Sequence, residues 1–310
     1  MHTDQDSIRR RQAHWAILLA NVGWGIMSPV SKMVLLSGAV SSLALSGIRI
    51  TGGALLFLLF SRVLPESFET RQHIDSGDIW KIILCSLLMI SANQGLYIIG
   101  VGLTNPIDAS VMCSLTPMLT MILAAIFLHF PLTWIKVGGV IMGLAGVIIL
   151  VGGSEESGMA VNPLLGNLLC LIAQLCAAIY YVGFDSVIRK YSPYTLMKWM
   201  FFISVFTYVP FCVPEILKTD FMSLSSDVWC GIAYIILIPT FVGYLLIPFA
   251  QRSLKPTVVS IYNYLQPVVA AIVAIAINVG DFSWYKVLSA LLIFAGIGLV
   301  NHSSTKKHQA

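Results

Sequence analysis

The chain has 310 residues, of which 57% are hydrophobic and 10% charged, with a formal net charge of +4. A soluble domain of this size carries about 25% charged residues, so the composition excludes a water-facing globular surface. A mean hydropathy of +0.86 fits a bilayer as the solvent instead.

A transmembrane helix needs about 20 mostly apolar residues, and ten such runs are read in chain order. They are 14–36, 41–62, 79–101, 106–128, 132–152, 163–186, 194–216, 228–250, 256–278 and 283–301. The predicted fold is therefore an all-α integral membrane protein of ten helices. The segment before the first run is basic, but that run is too long for a signal-peptide core and lacks a small-residue cleavage site. It reads as a retained first helix after a cytoplasmic tail, 1–13.

The charge is unevenly placed. With the N-terminus inside, 14 of the 18 Lys and Arg residues fall on cytoplasmic tails and loops, leaving Lys32, Arg49, Lys218 and Lys286. This is the positive-inside pattern; it places both termini in the cytoplasm and argues for a bilayer rather than a nucleic acid as the partner. The six cysteines all fall inside predicted runs, with no metal-ligand spacing. Buried free thiols are expected, and no cofactor or metal is implied.

Shifting the chain by 150 residues aligns 106–146 with 256–296 without a gap, and eleven of the 41 positions are identical. The matches include Pro106 with Pro256, Pro117 with Pro267, Trp134 with Trp284, Lys136 with Lys286 and Gly146 with Gly296. Apolar composition does not generate paired Pro, Trp, Lys and Gly. Two five-helix halves follow, 14–152 and 163–301, separated by an extracytoplasmic linker, 153–162, and followed by a cytoplasmic tail, 302–310. Five helices per half is an odd number, so the halves enter the membrane in opposite directions, an architecture recurrent in secondary transporters.

Several local marks accompany this repeat. They are "WG" at 24–25, a mid-helix proline in the fourth and ninth runs, and "TW…G…AG" over 133–146 echoed as "SW…AG" over 283–296. In these respects the whole chain resembles the EamA-type members of the drug/metabolite transporter superfamily. The resemblance implies ten helices with inside termini and movement, often efflux, of amino acids, nucleosides, sugar phosphates or amphipathic drugs. An acidic residue that the family usually carries after the fourth and ninth helices is replaced here by Phe130 and Pro131, and only Asp281 remains in the second half.

Polar residues inside a bilayer are costly and face a cavity or a neighbouring helix. At 100° per residue, Asn21, Gly25, Ser28 and Lys32 form one stripe of the first run, flanked by Trp24. Gln174, Ala178, Tyr181 and Asp185 repeat that spacing in the sixth. Two readings stand side by side: matched walls of a substrate pathway, or polar seams whose two charges snorkel to an interface. The fourth run carries Ser110, Cys113, Ser114 and Pro117, and the ninth carries Ser260, Asn263, Tyr264, Gln266 and Pro267. Pro117 lies roughly 16 Å along the helix from Pro106, near the middle of a core about 30 Å thick. Each proline frees the carbonyl four residues earlier, so the two helices are expected to kink and expose the Cys113 and Asn263 carbonyls.

In "NPID", Asn105 suits an N-cap, Pro106 the first helical position and Asp108 the first turn. Capping, with Arg49 or Lys32 as ion partner, is favoured over a proton-carrying role for Asp108. The third run adds Asn93, Gln94 and Tyr97, and the eighth adds Gly243 and Tyr244. Arg49 lies roughly 12 Å into the second run; interfacial snorkelling, pairing with Asp108, or contact with a substrate carboxylate are its three readings. Lys32, Arg49, Asp108 and Asp185 are thus the candidate charge or coupling residues. Gly139 and Gly143, with Ser289 matching Gly139, make a close-packing face, so the fifth and tenth runs read as scaffold.

A secondary transporter of a small polar or amphipathic metabolite, working around a mid-membrane site, fits these features best. A lipid scramblase or non-transporting membrane protein of the same fold is the alternative. An intramembrane enzyme would need a paired catalytic constellation, and the six histidines fall in tails, loops or span ends.

Overall fold

The computed structural model describes residues 2–63, 72–127, 134–153, 160–251, 262–263, 265–280 and 283–306. Among these residues the regular elements are all helical. The N-terminal half contains α1 (His2–Leu36), α2 (Ser42–Val63), α3 (Ile79–Cys85), α4 (Asn93–Leu103), α5 (Pro106–Cys113), α6 (Thr116–Phe127) and α7 (Trp134–Gly153). The C-terminal half contains α8 (Pro163–Gly183), α9 (Asp185–Lys190), α10 (Pro193–Thr207), α11 (Val209–Lys218), α12 (Ser226–Ile235), α13 (Gly243–Gln251), α14 (Leu265–Ala276) and α15 (Trp284–Lys306).

Among the described residues, six helical segments are long and apolar enough to cross a membrane: Arg9–Leu36, Ser42–Ser61, Ser76–Leu103, Pro106–Phe127, Pro163–Gly183 and Ser226–Leu246. A seventh is α10 with α11, if that pair, bent by 66°, is one span. Three further apolar helices, Val137–Leu150, Leu265–Ala276 and Trp284–Gly296, are shorter.

Helix starts follow their local chemistry. Asn105 accepts the Ile107 amide at 2.9 Å, Asn162 accepts the Leu165 amide at 3.1 Å, and Ser192 accepts the Thr195 amide at 3.2 Å. Each cap is followed by a proline at the first helical position, where its missing N–H costs nothing. The α1–α2 connection turns at Gly38, whose φ of 70° suits a residue without a Cβ.

Two seven-residue π segments interrupt otherwise α-helical runs: Ser86–Ala92 between α3 and α4, and Ile236–Val242 between α12 and α13. They stand 150 residues apart, from 86 to 236, the offset of the proline repeat. A π turn widens the helix and turns aside the backbone groups that follow it.

Packing crosses between the halves. α1 packs on α12, α13 and α14, while α8 packs on α4, α5 and α6. α7 and α15 lie against each other along a face of small residues. A Cβ added at Gly146 would stand 2.8 Å from the Ser289 carbonyl and from Ile293. One added at Gly296 would stand 2.8 Å from the Gly143 amide and closer still to the Gly139 carbonyl. These contacts are reciprocal: 146 meets 289 and 293, while 296 meets 139 and 143.

Two large apolar cores are formed among the described residues. One gathers Met27, Leu45, Ile98, Met112, Leu115 and Ile232; the other gathers Phe57, Ile90, Tyr180, Phe201 and Phe241. Trp24 touches both. The cysteines are free, and Cys85, Cys170 and Cys212 are buried, but Cys230 on α12 is exposed rather than buried as expected.

Candidate functional site

Arg49 on α2 is a buried cation, 2% exposed. Neither snorkelling nor pairing with Asp108 describes it. Its Nε donates to Thr240 Oγ1 at 2.7 Å, and Thr240 Oγ1, in the π segment, donates to the Ile235 carbonyl at 2.8 Å, five residues back at the end of α12. Tyr244, Tyr97 and Cys113 lie within electrostatic reach of the guanidinium. Thr240, a lone hydroxyl in "ILIPTFV", was absent from the sequence-based site; its only signal is the proline before it.

Around Arg49 stand groups from both halves. Gln94 on α4 is 1% exposed, and its Nε2 donates to the Tyr244 hydroxyl at 3.1 Å. The other end of that amide, Oε1, is buried and has no hydrogen-bond partner among the described residues. Trp24 on α1 donates its indole N–H to the Pro239 carbonyl at 2.8 Å, and its ring meets Tyr244 edge-on at 5.8 Å. Tyr244 also meets Phe201 edge-on at 5.6 Å. Tyr181 packs beside Tyr180, with ring centroids 5.3 Å apart.

The helix break on the other side of this cluster differs from the expected kink. α5 ends at Cys113 and α6 starts at Thr116, so the chain is interrupted at Ser114–Leu115, just ahead of Pro117. The freed Cys113 carbonyl is not bare. The Thr116 hydroxyl lies 2.8 Å from it and 2.8 Å from Gln174 Oε1, sharing one proton between two acceptors. Gln174 Nε2 turns to the Cys113 sulfur at 3.4 Å. Ser114 Oγ is buried and has no hydrogen-bond partner among the described residues. In the second half the Asn263 carbonyl accepts the Gln266 amide at 3.2 Å, so this acceptor too is engaged. Ser260 and Tyr264 lie outside the described residues.

Several polar residues act as stitches between helices. Asn21 donates to the Ile17 carbonyl at 2.9 Å and accepts Gln266 Nε2 at 2.7 Å, tying α1 to α14. Ser28 donates to the Pro106 carbonyl at 2.6 Å, and Asn93 donates to the Ala173 carbonyl at 2.7 Å. Ser110 bonds back to Ile107 in its own helix at 2.7 Å. These bonds spend the side chains' donors on the scaffold.

The other charges depart from expectation. Lys32 does not snorkel: it is 1% exposed, and its Nζ donates to the Gly102 carbonyl at 2.9 Å, at the end of α4. Asp108 faces Lys286 rather than Arg49 or Lys32, at 3.7 Å and buried. Lys286 aligns with Lys136 in the repeat, which was the available signal. Asp185 leaves the stripe of α8, because that helix ends at Gly183; it starts α9 and pairs with Arg189 at 2.8 Å on an exposed surface. This exposed position agrees with the interfacial reading of Asp185.

A second charged cluster binds the segment before α3 to the one after α9. Asp78 meets Lys81 at 2.8 Å, Lys190 at 2.5 Å and the Tyr191 hydroxyl at 2.9 Å, and Lys190 also reaches Asp75 at 2.5 Å. Hydrogen bonds to Asp75 and Asp78 hold the Lys190 ammonium above its ordinary pKa. Among the described residues no group of three metal-ligating side chains is found.

The sequence pattern of the EamA-like transporter family matches twice, over residues 11–152 and 164–302. The chain belongs to the EamA-like transporter family. Curated relatives of this family member include an uncharacterized transporter of Archaeoglobus fulgidus, 25% identical over 290 residues, covering 92% of this chain and 98% of the relative. The uncharacterized transporter YyaM of Bacillus subtilis is 24% identical over 247 residues, 78% of either chain. A probable terminal-alkyne amino-acid exporter of Streptantibioticus cattleyicolor is 23% identical over 302 residues, covering 94% of this chain and 93% of the relative. A solved crystal structure shares the fold with a TM-score of 0.62 at 18% identity, over 94% of both chains. This EamA-like chain is thus a multi-pass membrane protein of a transporter family.

Proposed function

We propose that this protein is a secondary transporter that moves a small polar or amphipathic metabolite, such as an amino acid, out of the cell. Movement occurs by alternating access around a site between the two halves. The observation that carries this reading is the buried polar cluster built from both family-matched segments: Arg49 and Gln94 from one, Thr240 and Tyr244 from the other. Ligand sites of inverted-repeat transporters lie at such an interface.

Ten spans in two inverted halves, with both termini cytoplasmic, complete the proposal. The shared 150-residue offset of the prolines and π segments supports it, as do the reciprocal Gly146 and Gly296 contacts. A basic bias on one side supports the orientation in the cytoplasmic membrane. The exporter named among the relatives supports an amino-acid-like substrate.

A thermal-unfolding screen of the purified protein against amino acids, nucleosides, sugar phosphates and organic cations tests the proposal. A ligand that binds the folded state raises its apparent stability, and uptake into proteoliposomes follows for each stabilising solute. Stabilisation by, and uptake of, one such class is expected. Uptake of no solute above protein-free vesicles overturns the reading.

A further inference from the structure

The two halves differ at positions that their 150-residue offset makes equivalent. α1 runs unbroken to Leu36, and its Val34 is buried against α12, where a Cβ added at Gly231 would stand 2.6 Å from it. The equivalents of Val34 and Gly231 are Phe184 and Lys81. There α8 stops: Gly183 is its last residue, and Phe184 leaves helical geometry at φ −123° and ψ 21°. Gly183 is exposed, and a Cβ added to it would meet nothing within 4 Å.

The short helix that follows, α9, is two-sided. Phe184, Val187, Ile188 and Tyr191 recur at helical spacing and pack in the core that holds Tyr180, Ile82 and Cys85. Asp185, Ser186, Arg189 and Lys190 on the other side are exposed. Cys85 lies within electrostatic reach of Tyr180, one helical turn before Phe184, so residues 184–191 roof this end of the core. The far end of the roof is tied to the first half. Lys190 bonds Asp75 and Asp78, the Tyr191 hydroxyl donates to Asp78 and accepts the Asp75 amide at 3.1 Å, and Gln72 Oε1 accepts the Ser192 amide at 2.7 Å. At the opposite end of the bundle the equivalents of Lys190 and Asp78 are Val40 and Val228, both buried in one apolar core. Parting those two would wet hydrocarbon. The Lys190 and Asp75 side chains are 46% and 60% exposed, so their tie parts into hydrated charges and is screened by salt.

We propose that residues 184–191 are a hinged flap over the seam between α8 and α3, with Gly183 as its pivot and the bonds of Lys190 to Asp75 and Asp78 as its latch. Release of the latch lifts Phe184, Val187 and Ile188 off the core and opens the end proposed as cytoplasmic. The flap gives the proposed transport role its closure at that end, and rests on that role.

The test follows alkylation of the native cysteines of the purified full-length protein by N-ethylmaleimide, resolved by peptide mass spectrometry. Cys85 reports the flap, exposed Cys230 calibrates the reagent, and Cys212, buried on α11 against Gly47, reports general loosening. Lys190→Met is expected to raise the Cys85 rate at least about 10-fold, from the loss of charge-assisted bonds that hold the closed form, with Cys212 unchanged. In the wild type, salt raised from about 0.05 M to about 1 M should speed Cys85 alone by screening the latch, a response that Lys190→Met should lose. The wild-type salt response decides the matter if Lys190→Met does not fold. A Cys85 rate that answers to neither change, or Cys85 and Cys212 rates that rise together, overturns the flap. If the protein moves solute while Cys85 stays unresponsive, the flap fails and the transport role stands; if Cys85 responds as expected but no solute moves, the transport role fails and the hinged segment stands.

Discussion

Asp108 Oδ1 and Lys286 Nζ lie 3.7 Å apart with both side chains buried, joining α5 of one half to α15 of the other. Removing one member breaks a pair held in a low-dielectric interior. Asp108→Ala and Lys286→Met are each expected to destabilise the protein by about 3–5 kcal/mol. The double substitution Asp108→Asn with Lys286→Met removes both charges of the pair together, so it should recover much of that loss. Chemical unfolding in detergent, run on all three variants, measures the difference.

Close approach of α7 and α15 depends on glycine. A Cβ at position 296 meets the Gly139 and Gly143 backbone, which has no rotamer to move aside. Gly296→Ala is expected to cost about 1–3 kcal/mol by overpacking. Gly298→Ala, two residues on, meets nothing within 4 Å and should leave stability unchanged or slightly raised. Thermal unfolding of the two variants separates a packing requirement from a general helix effect.

The break between α5 and α6 hangs on Thr116. Thr116→Val keeps the shape but removes the hydroxyl shared by the Cys113 carbonyl and Gln174 Oε1. Two acceptors then lose their donor, and a loss of about 1–3 kcal/mol is expected. Thr116→Ser should behave like the wild type, a comparison made in the same unfolding assay.

Lys190 carries a pH signature. Its folded-state pKa is raised by hydrogen bonds to Asp75 and Asp78. The ammonium's contribution is therefore complete below the unfolded value of about 10.4 and fades as pH rises through the folded value. The stability difference between wild type and Lys190→Met should stay flat from about pH 6 to about pH 9 and shrink only above about pH 10. A difference that collapses near neutrality would remove Lys190 from this role.

Much of the architecture is legible in the residues themselves. The repeated Pro106 and Pro117 mark a helix start and a helix interruption, because proline forbids one backbone bond wherever it stands. Asn105, Asn162 and Ser192 announce their helices by capping chemistry. Gly139 and Gly143 mark a close-packing face, and α15 occupies it.

The candidate site was less legible, since its bonds run between distant residues. Arg49 and Thr240 are 191 positions apart, and nothing local to either tells of the other. Helical periodicity put Asp185 on the stripe of Gln174 and Tyr181, but the helix stops at Gly183 and the period with it. Lys32 looked interfacial because lysine usually snorkels; the open carbonyl of Gly102 gave it a buried destination instead. The π segments, "SLLMISA" and "ILIPTFV", share only Leu87 with Leu237 when aligned, so it is chiefly their offset that relates them.

Solute counterflow in proteoliposomes tests the central claim most directly. Vesicles containing the wild-type protein are loaded with unlabelled L-leucine or L-phenylalanine and diluted into a trace of the labelled amino acid. Alternating access predicts a transient accumulation of label above equilibrium, absent from protein-free vesicles. Label that enters no faster than in protein-free vesicles, or that rises to equilibrium without overshoot, for these amino acids and equally for nucleosides and organic cations, would contradict the account.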